Sequence, residues 1–198
     1  MKNEHSEPLS LHQVLNTIDF SAVFMPPRRD APRQTIPAGS RDEKRCNGDK
    51  TLIRPVVSES NYSLTFAARP TIFVEMPETK AEQVLLVLQN EISGERMETM
   101  LPITEIDENG IAKFQLPEDQ PSLAIGQDYQ WFLAVICQNS LQPSDPLFTG
   151  WVQRVAFSTE VAQMLDSFSP AQQVTWFAER GHWQDMISVL LQHPDAFN

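Results

Sequence analysis

The stretch Leu123-Ala-Ile-Gly126-Gln-Asp-Tyr129-Gln-Trp131 opens an apolar run that continues to Cys137. Its Leu-x-x-Gly-x-x-Tyr spacing is that of a tyrosine corner, in which a tyrosine hydroxyl bonds to the backbone a few residues upstream, at the start of a core strand. Leu123, Gly126 and Tyr129 are therefore predicted to form such a corner. In this role Tyr129 is structural rather than catalytic.

Short apolar or alternating runs, separated by turn residues, lie on both sides of this stretch. The predicted strands are Leu52–Val57, Ser63–Met76 with a bend at Pro70, Val84–Leu88, Met97–Leu101, Ala112–Leu116, Tyr129–Cys137 and Phe148–Phe157. Six or seven strands in about 105 residues, with turns roughly every 8–12 residues, are typical of a sandwich. The sequence therefore predicts a mainly β protein with an immunoglobulin- or fibronectin-like β-sandwich over residues 46–157.

Residues 158–198 have the periodicity of helices. Ser169-Pro170-Ala171-Gln172 is a capping box with proline at the first helical position, and Gly181 predicts the end of that helix. Another helix is predicted from about His182 to Gln192. The C-terminal extension is therefore predicted to be an α-helical hairpin packed on the sandwich.

The 198 residues carry a net charge of −11 that is unevenly distributed. Residues 1–54 hold nine Lys/Arg and seven Asp/Glu, whereas residues 55–198 hold six Lys/Arg and nineteen Asp/Glu. Residues 1–45 are predicted to be a flexible, basic, proline-rich, extended arm on an acidic body. An acidic body repels phosphate backbones, and no run of about 18 apolar residues occurs, so neither a nucleic-acid partner nor an integral membrane segment is predicted.

The sequence contains no pattern that indicates catalysis. Its four histidines lack the spacing of metal ligands, and it has no HExxH, no P-loop and no Gly-x-Ser-x-Gly. No catalytic residue, metal or cofactor is therefore predicted. Carboxylates could pair in space as glycoside hydrolysis requires, but among 26 acidic residues some pairs occur by chance and a solvated acidic face is the favoured interpretation. A hydrolase therefore ranks below protein binding and carbohydrate binding.

Aromatic side chains provide the candidate contact residues. Trp176, His182 and Trp183 are predicted to form an interaction surface, with Trp176 either an exposed anchor or packed on the sandwich. Carbohydrate binding by ring stacking is an alternative that needs a row of exposed rings. The strands offer Phe73, Trp131 and Phe132, which the pattern places mostly in the core.

The two cysteines, Cys46 and Cys137, stand 91 positions apart. Buried free thiols are one interpretation, and the other is a disulfide that ties the end of the arm to the body in an oxidising compartment. Met1–Asp19 holds no apolar run of about seven residues, so no secretory signal is predicted there.

Several stretches along the chain share a family pattern. They are Pro26-Pro27-Arg28-Arg29-Asp30-Ala31-Pro32, Ala38-Gly39-Ser40-Arg41 with Cys46, Ala68-Arg69-Pro70-Thr71-Ile72-Phe73-Val74, the predicted tyrosine corner, Cys137, Gly150-Trp151-Val152-Gln153-Arg154 and Gly181-His182-Trp183-Gln184-Asp185. Together they resemble the cyanobacterial domain-of-unknown-function family 928 over about residues 24–191. The resemblance implies a bacterial, periplasmic or extracellular protein and, if the chain is exported, a Cys46–Cys137 bridge. It implies no activity or catalytic residue.

A binding-type fold without a catalytic constellation predicts a non-catalytic protein–protein interaction or adaptor module of the cell envelope. The basic arm is suited to folding on a protein partner. Carbohydrate binding is the alternative hypothesis.

Overall fold

The structure is a computed structural model that describes residue 46 and residues 52–77, 79–104 and 106–197. The predicted arm over residues 1–45 lies outside the described residues. The strands in the described part are β1 (Arg54–Pro55), β2 (Tyr62–Thr65), β3 (Ile72–Glu75), β4 (Gln83–Asn90), β5 (Arg96–Pro102), β6 (Ile111–Phe114), β7 (Asp128–Ile136) and β8 (Leu147–Arg154). They are followed by α1 (Thr159–Asp166), α2 (Pro170–Glu179), α3 (Trp183–Gln192) and a 3-10 helix (Pro194–Phe197).

The strands form two sheets. One has three antiparallel strands in the order β1-β3-β6, and the other has five in the order β2-β8-β7-β4-β5. In the larger sheet β2 runs parallel to β8, and the other neighbours are antiparallel. The stretch Ser63–Met76, predicted as one bent strand, therefore gives β2 to one sheet and β3 to the other, with Pro70 between them.

One cluster of buried apolar side chains contains residues from both sheets. Trp131, Leu133 and Val135 alternate along β7, and Ile72 and Val74 alternate along β3. Because successive side chains of a strand point to opposite faces, each of these sets belongs to one face of its sheet. The body is therefore mainly β, with a core shared by two sheets.

Local sequence determines where the helices begin. The Ser169 hydroxyl accepts from the Gln172 backbone N–H at 3.3 Å, and the Gln172 side chain accepts from the Ser169 N–H at 2.9 Å. This is the predicted capping box, with Pro170 as the first helical residue. Ser158 caps α1 in a similar way, by accepting from the Val161 N–H. Hydrogen bonds from its own backbone N–H and from Ser158 lower the pKa of Glu160 in the first turn of α1.

The helices cover the other face of the three-stranded sheet. Phe73 of β3 and Ile111 of β6 belong to a second buried cluster together with Phe177 of α2 and Ile187 of α3. The helical unit also contacts β2, where the Leu64 N–H donates to the Gly181 carbonyl at 2.8 Å on the side away from β8. Among the described helices, none combines the length and apolarity that crossing a membrane requires.

Candidate functional site

An aromatic cluster lies at the surface where the larger sheet meets the helices. We define it as Phe66, which follows β2, Phe157, which follows β8, and Trp176 of α2. The Phe66 ring centroid lies 4.6 Å from that of Phe157 and 6.1 Å from that of Trp176. Phe157 is 53% exposed, and Trp176 is half-buried beneath the Arg180 guanidinium, which lies 4.5 Å from its ring centroid. The cluster therefore presents apolar rings and one cation to solvent.

Two residues of the predicted interaction surface lie in the interior, which corrects that prediction. His182 is 3% exposed and Trp183 is 8% exposed. The His182 ring packs 4.4 Å from the Phe66 ring centroid, so the aromatic cluster covers it. The Trp183 indole N–H donates to the Val56 carbonyl at 3.0 Å, which draws that ring toward the β1 region. Of the three predicted residues, only Trp176 reaches the surface.

The Asp185 carboxylate joins α3 to β2. One oxygen accepts from the Thr65 hydroxyl at 2.8 Å, and the other accepts from the Phe66 N–H at 3.0 Å. The second oxygen also lies 2.9 Å from His182 Nδ1. This carboxylate therefore holds Phe66 and His182, and with them the base of the aromatic cluster.

The hydroxyls beside this Asp–His pair have structural partners. Thr65 Oγ1 donates to Asp185 and accepts from the Ala67 N–H at 3.0 Å. The Ser63 hydroxyl oxygen accepts from the Trp183 N–H at 2.9 Å. These hydrogen bonds of Ser63 and Thr65 attach the helices to β2.

The predicted tyrosine corner has its characteristic hydrogen bond. The Ala124 N–H donates to the Tyr129 hydroxyl oxygen at 3.0 Å, and Tyr129 is buried. On either side, the Leu123 N–H donates to the Ala68 carbonyl at 2.9 Å and the Gly126 N–H donates to the Arg154 carbonyl at 2.7 Å. These contacts fix the segment before β7 against the loop after β2 and the end of β8, and they make Tyr129 a structural residue.

The two cysteines form a disulfide. Cys46 and Cys137 are bridged, with their Cα atoms 5.1 Å apart. Cys46 is buried in the core cluster, and Cys137 directly follows β7. The bridge therefore attaches the residue that follows the predicted arm to the end of a central strand.

A row of exposed rings, a groove or a group of metal ligands would be a ligand site of another kind. Phe73 and Trp131 are buried, so the rings proposed for carbohydrate stacking do not form an exposed row. A groove of about 470 Å³ lies between the end of β5 and β6, lined by residues that include Thr104, Asp107 and Lys113. Within the described ranges, no three His, Cys, Asp or Glu side chains are grouped to hold a metal ion.

Three residues of this region were not predicted to be site residues. Phe66 occupies an alternating position and Phe157 closes the series of strands, so both were predicted only as strand residues. Asp185 stands three positions after His182, at the start of a helix. That His-x-x-Asp spacing is the signal that indicates their contact, because residues three apart are neighbours on a helix.

Comparison with known proteins gives a family and a distant similarity to solved structures. The solution structure of the fn3 domain of the human collagen alpha-1(XX) chain matches with a TM-score of 0.36 and 14% sequence identity. The match covers 57% of this chain and 88% of that chain. No curated protein matches the chain. The family model described as Domain of Unknown Function (DUF928) matches residues 36–196, and the chain belongs to this family.

Proposed function

We propose that this chain is a non-catalytic protein–protein interaction module, an adaptor of the bacterial cell envelope. The observation that carries the proposal is the aromatic cluster, in which an exposed Phe157 ring lies on Phe66 beside Trp176 and Arg180. Aromatic rings and arginine are the side chains most enriched where protein partners gain binding energy. The class of partner is therefore a protein that inserts an apolar side chain among these rings.

The cluster is supported by rigid elements. The Phe66 N–H is held by Asp185, and the Phe66 ring packs on the buried His182 ring. Trp176 is fixed within α2, where its ring meets the Phe177 ring edge-on at 5.5 Å. A surface that is already ordered loses little conformational entropy when a partner binds. The cluster is suited to binding for this reason.

The disulfide supports a location outside the cytoplasm. Bridges such as Cys46–Cys137 form and persist mainly in oxidising compartments, including the bacterial periplasm. We therefore place the adaptor at the cell envelope, in a cyanobacterium as the family resemblance implies.

We also propose that the β region is an immunoglobulin- or fibronectin-like sandwich. The support is the pair of sheets with a shared core and the hydrogen bond between Ala124 and Tyr129 at the start of β7. Sandwiches of this kind commonly present binding surfaces at the ends of their strands, and Phe66 and Phe157 follow the ends of β2 and β8.

The test compares Phe157→Ala with Leu141→Ala, a control at a residue of similar exposure on another loop (53% and 50%). Tagged full-length protein and both variants are used to purify partners from envelope fractions of the native host. We expect a stoichiometric protein that is retained by the parent chain and Leu141→Ala and lost by Phe157→Ala. With purified components, Phe157→Ala should raise the Kd at least about tenfold, as the loss of a central contact does.

Two results would contradict the proposal. One is a partner that all three proteins retain equally, which would place the interface elsewhere. The other is a parent chain that purifies alone yet binds glycans in a manner that Phe157→Ala abolishes, which would favour the carbohydrate-binding alternative.

A further inference from the structure

The outer face of the five-stranded sheet is a further apolar surface. Val84 and Leu86 of β4 and Leu133 of β7 face the core, so the residues between them on each strand face outward. The register places the outward side chains of four neighbouring strands in one row, namely Met100 of β5, Leu85 of β4, Ala134 of β7 and Leu147 of β8. In the next row, Val87 of β4 lies opposite Phe132 of β7. The middle of this outer face is therefore apolar.

The outer face is also partly buried. Val87 and Ala134 are each 4% exposed, and Leu85 and Phe132 are half-buried. Neither Val87 nor Ala134 belongs to the core cluster or to the second cluster, which contains the helices. Among the described residues, that second cluster includes no side chain of β4, β5, β7 or β8. Because an apolar sheet face becomes buried when another layer packs on it, this face has a covering layer other than the described helices.

The chain that precedes Cys46 starts from one end of this sheet. Cys46 is bonded to Cys137, which directly follows Ile136 at the end of β7. Residues 26–45 can span up to roughly 60 Å when extended. The five strands together are only about 19 Å wide, since neighbouring strands lie roughly 4.8 Å apart. Residues before position 26 are therefore close enough along the chain to reach any part of the outer face.

The apolar residues of the predicted arm are concentrated in residues 9–25. Those that recur at helical spacing are Leu11, Val14, Leu15 and Ile18. Residues 26–45, in contrast, contain one large apolar side chain, that of Ile36. A helical pattern of about two turns is too short to be stable alone in water, and it needs an apolar surface to pack against. The outer face of the five-stranded sheet is such a surface.

We propose that this outer face is the docking surface for residues 9–25 of the same chain. The apolar side chains of residues 9–25 pack on the row that runs from Met100 to Leu147. Because the segment and the face belong to one chain, the contact is intramolecular and has a high effective concentration. Each of the two sheets then has a covering layer on its outer face, the helices on the smaller sheet and this segment on the larger one.

The test uses the full chain in solution, with labelled methyl groups of methionine, leucine and valine. We expect cross-peaks between the Met100 methyl group, assigned from its loss in Met100→Leu, and methyl groups of residues 9–25. Samples that mix labelled and unlabelled chains distinguish contacts within one chain from contacts between copies. Cross-peaks that arise only between copies would overturn the proposal and identify a second copy as the occupant. The absence of any cross-peak from Met100 to residues 9–25 would also overturn it.

Two substitutions that add the same charge form a matched pair. Leu15→Asp places a carboxylate in the proposed contact and should abolish the cross-peaks to Met100. Ile36→Asp adds a carboxylate outside residues 9–25 and should leave these cross-peaks unchanged. The Leu133 methyl groups face the core, and their signals should keep their positions in both variants. Unchanged Met100 cross-peaks in Leu15→Asp, or an equal loss in both variants, would contradict the assignment of residues 9–25 to this face.

Discussion

The Thr65 hydroxyl donates to Asp185 Oδ1 at 2.8 Å, across 120 positions of the sequence. This bond joins the last residue of β2 to the first turn of α3. The same carboxylate also holds the Phe66 N–H and His182. This one side chain therefore makes two of the hydrogen bonds that attach the helical unit to the larger sheet beneath the aromatic cluster.

Replacing this carboxylate should destabilise the fold. Asp185→Ala leaves the Thr65 hydroxyl and the Phe66 N–H without their acceptor in a largely buried place. We expect a loss of about 2–4 kcal/mol in the free energy of unfolding, since bonds to a charged acceptor contribute more than neutral ones. Urea unfolding measures this loss of free energy, and Asp119→Ala at an exposed turn is the control. Equal midpoints for the two variants would refute the role given to Asp185.

The tyrosine corner can be tested by removing one hydroxyl group. Tyr129→Phe removes the hydroxyl that accepts from the Ala124 N–H and preserves the buried ring. We expect a loss of about 1–3 kcal/mol, the cost of an unpaired buried donor. Hydrogen exchange should show the Ala124 amide losing its protection more than the amides of β4. Unchanged protection at Ala124 would show that the bond contributes nothing.

Gly150 of β8 should tolerate no side chain. It lies opposite Trp131 in β7, and a Cβ added there would lie 2.4 Å from the Trp131 ring and 2.4 Å from Asn61 Oδ1. Because Trp131 is buried in the core, Gly150→Ala is expected to cost about 3 kcal/mol or more.

The matched control is Gly94→Ala. Gly94 has a φ of +70° but no atom within 4 Å of an added Cβ, so only backbone strain of about 1 kcal/mol is expected. Thermal unfolding of both variants separates the cost of the steric clash at Gly150 from the cost of backbone strain at Gly94. A smaller loss for Gly150→Ala than for Gly94→Ala would contradict the steric argument.

Removing the disulfide should lower the free energy of unfolding. The bridge closes a loop across 91 positions, for which the chain-entropy model gives roughly 4–5 kcal/mol. Cys46→Ser combined with Cys137→Ser should therefore unfold at a lower denaturant concentration than the parent chain. A reductant should lower the midpoint of the parent chain and leave that of the double variant unchanged. A parent chain that is insensitive to reductant would show that the bridge adds no stability.

Features encoded within a few residues were predictable from the sequence. The bond at Tyr129 and the capping box at Ser169 each lie within a short stretch whose spacing determines the geometry. Most strands were likewise indicated by alternation, because burial of one face of a strand selects every second residue.

Features that depend on distant contacts were not predictable. Alternation predicts that residues 63–65 are extended, but it does not reveal that β2 leaves the sheet of β3 to pair with β8. His182 was predicted at a helix start, where side chains are often exposed. It is buried because Phe66, Trp176 and Phe177 pack around its ring, and Phe66 comes from a distant part of the chain.

The bond from the Leu64 N–H to the Gly181 carbonyl occupies the outer edge of β2. An uncovered edge strand presents unpaired N–H and carbonyl groups, and these are a template on which another chain can add a strand. The turn between α2 and α3 therefore covers part of the outer edge of β2. A chain shortened to end at Phe157 would uncover this edge, and we expect its copies to associate through β2 more readily than copies of the full chain.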